Sequence, residues 1–354
     1  MTLAALTTTQ TASYATLSSH LVWASMTVLT VAMIAFLVDL TKLGESRGVV
    51  AAAVRESRDA ELVTAGAGGS GATAGTTASV PSDAPPSAPG DVEDGTQAGP
   101  RRKAVGIAMS LTVLGWLLLG AAIVTRGIAA GRAPWANMYE FTLVGSFVAL
   151  TVFLLVNRFR DVRFLGAFVT LLTVLFMALG QEVFFVQADG VQPALQSYWL
   201  VIHVGVAITA TGILTVAFVT SVLQLFKDSR DNGSGLMAHR GFRFLDGLPK
   251  ADKLEVLSFR LNAVGFVLWT FTLIAGAIWA EHAWGRYWGW DPKEVWTFIV
   301  WIVYAAYLHA RTTRGWSGRR AAYFVLVGYA CVLFNFTGVN LIFNGKHSYS
   351  GLTS

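Results

Sequence analysis

Charge is scarce in this chain. Only 13% of its 354 residues are Asp, Glu, Lys or Arg, against about 25% in an ordinary soluble domain. With 54% hydrophobic residues and a mean hydropathy of +0.55, that scarcity excludes a chain soluble throughout. Cysteine is almost missing too. The single Cys331 sits in an apolar run, which excludes a disulfide, a CxxC redox pair and a thiolate metal cluster within the chain; thiol chemistry has to come from a partner. The N-terminal stretch "MTLAALTTTQTASYATLSSH" lacks a basic n-region, and no clear small-x-small cleavage site follows the first apolar run. That run reads as a retained helix, not a signal peptide. The net charge of +5 is not a nucleic-acid signal, because the Lys and Arg residues gather in particular connectors.

What is present is length of apolar run. A bilayer core takes roughly 20 consecutive apolar residues per helix, and these runs are too long for barrel strands. The expected fold class is an all-α polytopic membrane protein with about eight spans, near 20–40, 104–126, 139–157, 163–180, 199–226, 260–280, 292–311 and 321–343. Every odd-to-even connector is basic: Lys42, Arg47, Arg55 and Arg58, then Arg101 to Lys103; Arg158, Arg160 and Arg163; seven Lys or Arg from Lys227 to Arg260; and Arg311, Arg314, Arg319 and Arg320. The even-to-odd connectors hold only Arg126 and Arg132, then none in 181–198, then Arg286 and Lys293. The positive-inside rule then puts both termini outside. Residues 1–19 form an external segment and 41–103 a cytoplasmic, largely disordered linker. The Ala/Gly/Ser/Pro-rich stretch 60–100 cannot bury enough apolar surface to offset its chain entropy.

The segment "GRYWGWDPKEVW" (285–296) falls outside on this reading. Asp291 before Pro292 is an N-cap pattern with proline at N1, and Glu294 at N3 completes a capping-box spacing. The positive end of that helix dipole points at the outer surface, under the aromatic rings. Trp279, Trp284, Trp288, Trp290, Trp296 and Trp301 make up half of the chain's tryptophans. An interfacial aromatic belt accounts for tryptophan at membrane edges, but a belt is spread over all helix ends. A concentrated platform of flat rings suits a flat, amphipathic ligand, with Arg286 and Lys293 as candidate contacts to its anionic groups.

The chain has six histidines. His239 reads as solvated among basic residues, and His20 as an interfacial anchor. Pro193 is a plausible helix start, after which Gln196, Trp199 and His203 share one face. His203 then lies just inside the outer boundary, where an ionisable group is costly and usually functional, though a packing histidine is the plain alternative. His347 follows the last span at the same surface, where an exposed tail residue is the plain alternative. His282 lies in the tryptophan connector. His309 lies 17 residues beyond Pro292, about 25 Å down the helix, in the inner leaflet, and cannot share an iron with an outer histidine. Imidazoles without cysteines suit haem iron, zinc or copper. A tryptophan platform with basic residues favours haem.

The stretch "WAEHAWGRYWGWDPKEVWTFIVWIVYAAYLHAR" resembles the WWD signature of haem-handling proteins. With "RAPWANMYEF", "QPALQSYWLVIHV" and "GVNLIFNGKHSYS", in that order, it resembles the CcsA/ResC type of cytochrome c biogenesis protein (System II, sometimes labelled CcsB) over roughly residues 104–350. The resemblance implies a haem-handling membrane domain at 104–350, with the WWD segment at 279–301. It implies transport or presentation of haem b and its attachment to the CxxCH motif of apocytochrome c at the outer face, as part of a holocytochrome c synthase with a ResB-type membrane partner. A thiol-reducing thioredoxin-like protein and membrane lipids complete the expected partners. His203 and His347 correspond to the outer haem-iron ligands and His309 to the membrane ligand nearer the inside. Trp284, Trp288, Trp290, Asp291 and Arg286 complete the cofactor-binding set, and no residue is assigned as catalytic. The expected location is the bacterial cytoplasmic membrane, a thylakoid membrane being the alternative. Three other readings stay open: a WWD protein loading a haem chaperone, a transporter of another amphiphile, and a structural membrane subunit without haem.

Overall fold

A computed structural model of the chain describes residues 7–67, 103–188, 197–233 and 235–347. Among them the regular structure is helical. The helices are α1 (Thr8–Ala67), α2 (Lys103–Ala130), α3 (Met138–Phe159), α4 (Gly166–Glu182), α5 (Tyr198–Asp231), α6 (Ala251–Trp284), α7 (Pro292–Thr313), α8 (Arg319–Phe336) and the single turn α9 (Gly338–Ile342). Tight 3-10 turns lie at Arg163–Leu165, Gly235–Ala238 and Arg240–Gly247.

By length and composition, seven helices can cross a membrane: α1 over Thr8–Val50, α2, α3, α4, α5, α6, and α8 with α9. α7 is 22 residues long, but its tryptophans, tyrosines and polar ends make it less apolar. Large apolar side chains stay exposed along the helices, among them Ile34, Ile107, Leu117, Val124, Leu155, Val267, Ile274 and Val327. In water so many would be a liability; against lipid they are the ordinary outer surface of a bundle.

Two helix boundaries depart from the sequence reading. The first span was expected to end near residue 40, with a linker from 41. Instead α1 continues through 41–67, because this polar stretch still contains good helix formers and no proline. Residues 68–102 of the expected linker lie outside the described residues. α6 starts at Ala251, well before the expected 260, since a helix does not stop where its apolar run stops. Pro193 and Gln196 also lie outside the described residues; α5 starts at Tyr198 with Ser197 as N-cap, its side chain accepting from the Trp199 N–H.

Packing explains the order of neighbours. α1 and α2 lie against each other, with Ser18 and Ser25 donating 2.8 Å hydrogen bonds to the carbonyls of Ala122 and Gly115. Gly115 admits Leu29 directly onto the backbone of α2, a small-residue contact of the kind that joins helices in lipid. α5 is the most enclosed span and touches α3, α6 and α8. One core joins α1 to α4 with parts of α5 and α6; a second joins α5 to α8, where Tyr329 stacks on Phe218 and bonds Thr215 at 2.9 Å.

Each end of the bundle is tied by charge. At one end Arg47 donates to the carbonyls of Gly247 and Leu248, Arg230 pairs with Asp246 and Arg319 with Asp228. Glu255 there pairs with Arg311 and accepts from the Gly318 N–H. At the other end the carboxylate of Glu140, fully buried, accepts from Arg126 at 3.0 Å, Arg132 at 2.6 Å and the Ala136 N–H at 3.0 Å. Asn137 caps α3 by accepting from the Glu140 N–H. Glu140→Ala would leave buried Arg126 without its counter-charge, a loss of about 3–5 kcal/mol. The thermal unfolding midpoint in detergent should fall sharply, and an unchanged midpoint would show that this knot is not structural.

Candidate functional site

α6 ends at Trp284 because Gly285 takes left-handed backbone (φ 67°) and its N–H closes on the Glu281 carbonyl at 2.7 Å. His282 therefore belongs to the last turn of α6 and not to the connector. Asp291 caps α7 with Pro292 at N1, and Glu294 completes the capping box the spacing predicts. Glu294 reaches further. One of its oxygens accepts from the N–H groups of Gly289 (2.8 Å) and Asp291 (3.0 Å), the other from Arg286 (3.2 Å). Those two N–H groups flank Trp290, whose φ of 59° lies in the left-handed region, alone among the described non-glycine residues. The clamp thus holds a strained turn and leaves Trp290 75% exposed.

Asp291 has its own second task. One carboxylate oxygen accepts from the Lys293 N–H (3.1 Å) and from Nδ1 of His347 (2.8 Å); the other accepts from the Lys346 N–H (2.6 Å). Burial alone would raise this carboxyl, but the hydrogen bonds from His347 and the two N–H groups outweigh it and bring it down from 3.8 to about 2. Ionised, it can only accept, so His347 carries its proton on Nδ1 and presents Nε2 with a free lone pair. A Cβ at Gly345 would overlap the Asp291 carboxyl, so the chain can pass this close only as glycine.

His203 is anchored the same way. Its Nδ1 lies 3.1 Å from the Thr272 carbonyl, which can only accept, so Nε2 again keeps the lone pair. A Cβ at Gly276 would stand 2.7 Å from the imidazole; glycine is what lets the ring enter between α5 and α6. Trp279 touches both histidines: it stacks parallel to His203 (6.0 Å, 6°) and tilts against His347 (5.5 Å). Trp284 meets His347 edge-on at 4.8 Å. His203, His347, Trp135, Trp269, Trp279 and Trp288 share the walls of one cavity. Its empty volume, counting the part open to solvent, is ≈ 1240 Å³. The recess is mostly apolar and aromatic, and both imidazoles stand in its wall.

Comparison with known proteins agrees with this geometry. The family described as "Cytochrome C assembly protein" matches residues 135–347, a stretch holding every element of the site. The chain belongs to that family. It is 37% identical to the cytochrome c biogenesis protein CcsA of Prochlorococcus marinus (strain MIT 9303) over 262 residues, 68% of this chain and 82% of that one. It is 36% identical to CcsA of Synechococcus elongatus over 272 residues, 66% of this chain and 84% of that one. A solved structure, the cytochrome c haem lyase CcmF, shares the fold with a TM-score of 0.51 at 14% identity, covering 93% of this chain and 48% of that one. This CcsA-type cytochrome c assembly protein is thus a multi-pass membrane protein with a role in cytochrome c maturation.

The remaining expected residues of this assembly protein fall in distinct places. Trp284 backs His347 from behind the cavity wall, and Asp291 acts through His347. Trp290 packs edge-on against Trp288 and faces outward. Arg286 does not line the cavity: it pairs with Glu294 and lies over the Trp284 ring, and a Cβ at Gly289 would overlap its guanidinium. His309 is exposed near the far end of α7, away from the other two histidines. His20 and His282 are exposed, and His239 caps a 3-10 turn. Sequence reasoning did not single out Gly276, Gly345 or Thr272. Trp279 was singled out as one of the clustered tryptophans, whereas Trp135 was visible only as a member of a quoted motif. No composition signal marks a glycine that makes room for an imidazole one helix away.

Asp291→Asn keeps a good N-cap but removes the charge that holds the His347 segment. Hydrogen exchange at the Lys346 amide should quicken about tenfold, the difference between a charged and a neutral acceptor. Unchanged exchange would show that Asp291 does not anchor this segment. A carboxyl held low stabilises the fold above its ordinary 3.8 and loses that contribution as the pH falls through about 2. Wild-type protection at Lys346 should therefore persist down to about pH 4.

Proposed function

We propose that this chain binds haem b in the aromatic cavity at the outer face of the membrane, with Nε2 of His203 and Nε2 of His347 as the axial ligands, and presents it for attachment to apocytochrome c. The observation that carries the reading is the matched anchoring of the two imidazoles: each Nδ1 is fixed by an acceptor, each Nε2 has no partner among the described residues, and both rings touch Trp279. Metal-binding histidines are oriented by this kind of hydrogen bond from the far ring nitrogen. The flat aromatic walls fit the macrocycle. Held on both faces of the iron, haem keeps its vinyl edge open. Each CxxCH thiol then adds its S–H across a vinyl C=C: a carbon–sulfur bond forms, the hydrogen goes to the other vinyl carbon, and no electrons are gained or lost overall. The protein's part is positioning and shielding from water, since haem and thiols supply the reactivity.

The Lys/Arg-rich connectors gather at the end opposite the cavity, which supports an outside location for the site and for both termini. We place the protein in the bacterial cytoplasmic membrane, working with a ResB-type partner and a thioredoxin-like protein that keeps the client cysteines reduced. His309, exposed on α7, is suited to ligate haem at a second, inner position only if the partner supplies the opposite ligand. The test is an absorption spectrum of the detergent-purified complex with its ResB-type partner. His203→Ala and His347→Ala should each weaken or shift the haem band, and His309→Ala should lower total haem. A stable complex free of haem in every sample would sink the ligand assignments in favour of a carrier of another amphiphile.

A further inference from the structure

Lys293 occupies the first turn of α7 and lines the cavity. Its ammonium donates to the backbone carbonyl of Asn335 at 2.6 Å and to no carboxylate among the described residues. The two carboxylates of the same turn are committed elsewhere. Asp291 holds His347 and the N–H groups of Lys293 and Lys346; Glu294 holds Arg286 and the N–H groups of Gly289 and Asp291. A cation on the first turn also stands at the positive end of the helix dipole, where an anion is the favoured neighbour.

Trp279 supplies a second, independent observation. Its side chain is 1% exposed and lines the same cavity, and its indole N–H finds no acceptor among the described residues. Buried donors are ordinarily paired, and one left open at a ligand cavity is poised for a ligand acceptor. A cation and a spare donor on the wall of an apolar recess are complementary to a carboxylate. Arg286, the guanidinium nearest in sequence, is already paired outside the cavity.

We propose that Lys293, assisted by the Trp279 indole N–H, receives a carboxylate of the ligand bound in this cavity. For haem that group is a propionate, and the assignment rests on the haem reading above. It fixes the rotation of the macrocycle about the iron axis, and so which edge is turned toward the client.

The test is a titration of the full-length chain in detergent with ferric haem and, separately, with haem dimethyl ester, followed by the Soret band. Wild type should bind haem about 10- to 100-fold more tightly than the ester, the range of a charge-assisted hydrogen bond. Lys293→Met should bring haem affinity down to that of the ester and leave the ester unchanged; Lys293→Arg should keep most of the preference. Trp279→Phe should lose about 3- to 10-fold of it. A Lys293→Met protein with the wild-type haem-to-ester ratio would overturn the assignment. Should that variant not fold, an unaltered ratio in Trp279→Phe counts against it equally. Wild type binding both probes alike would remove the carboxylate receptor and keep the haem site. Wild type shifting neither Soret band would overturn the haem reading and this inference with it.

Discussion

The carboxylate of Asp291 meets donors from two parts of the chain that are 55 residues apart: the first turn of α7, and the segment after α9 that carries His347. The same group stops α7 from fraying, draws the C-terminal segment across the aromatic floor and fixes the tautomer of an imidazole. A neutral side chain of similar size could do the first of these. Only a buried, ionised acceptor does all three, because each bond it accepts lowers its tendency to take up a proton. The position of the second histidine is thus set by a helix cap.

Glu294 completes the arrangement one turn on. By holding the N–H groups on either side of Trp290 it keeps a backbone conformation that tryptophan would not adopt alone. Asp291 and Glu294 therefore divide the work: Asp291 acts through His347, and Glu294 through Arg286 and the loop backbone. At the neighbouring helix end Glu140 gathers Arg126, Arg132 and the Ala136 N–H, and so steadies the loop that places Trp135 in the wall. Three carboxylates, each saturated with donors, make a rigid rim beside a recess whose lining is mostly apolar. In a low-dielectric setting such saturation is what makes buried charge tolerable.

Much of this was legible in the sequence, for identifiable reasons. Apolar runs located the spans, since lipid demands them, and Asp291-Pro292-Lys293-Glu294 located the start of α7, since helix caps are local. His203 and His347 were legible through residue type, position and motif. The extent of α1 beyond residue 40 was not, because a polar helix has no apolar run to announce it. Nor was the division of labour between Arg286 and Lys293: both are cations in one short connector, and only the fold turns one toward Glu294 and the other into the cavity. The close approaches at Gly276 and Gly345 depend on residues far away in sequence, which no local pattern encodes.

The register of α1 on α2 has a mechanical consequence. Ser18 stands against Ala122 and Ser25 against Gly115, seven residues forward on one helix for seven back on the other. Lys103, twelve before Gly115, therefore stands level with residue 37, twelve after Ser25. Beyond that level α1 is held among others by the 3-10 turn at Arg240–Gly247, by the Arg47 contacts to Gly247 and Leu248, and by the charge pairing of Asp39 with Arg163. From Arg47 to Ala67 the helix runs on for twenty residues, about 30 Å, the diameter of a small domain. It extends the end of the bundle remote from the aromatic recess. The seam where Leu29 sits on Gly115 therefore sets where that extension leaves the bundle.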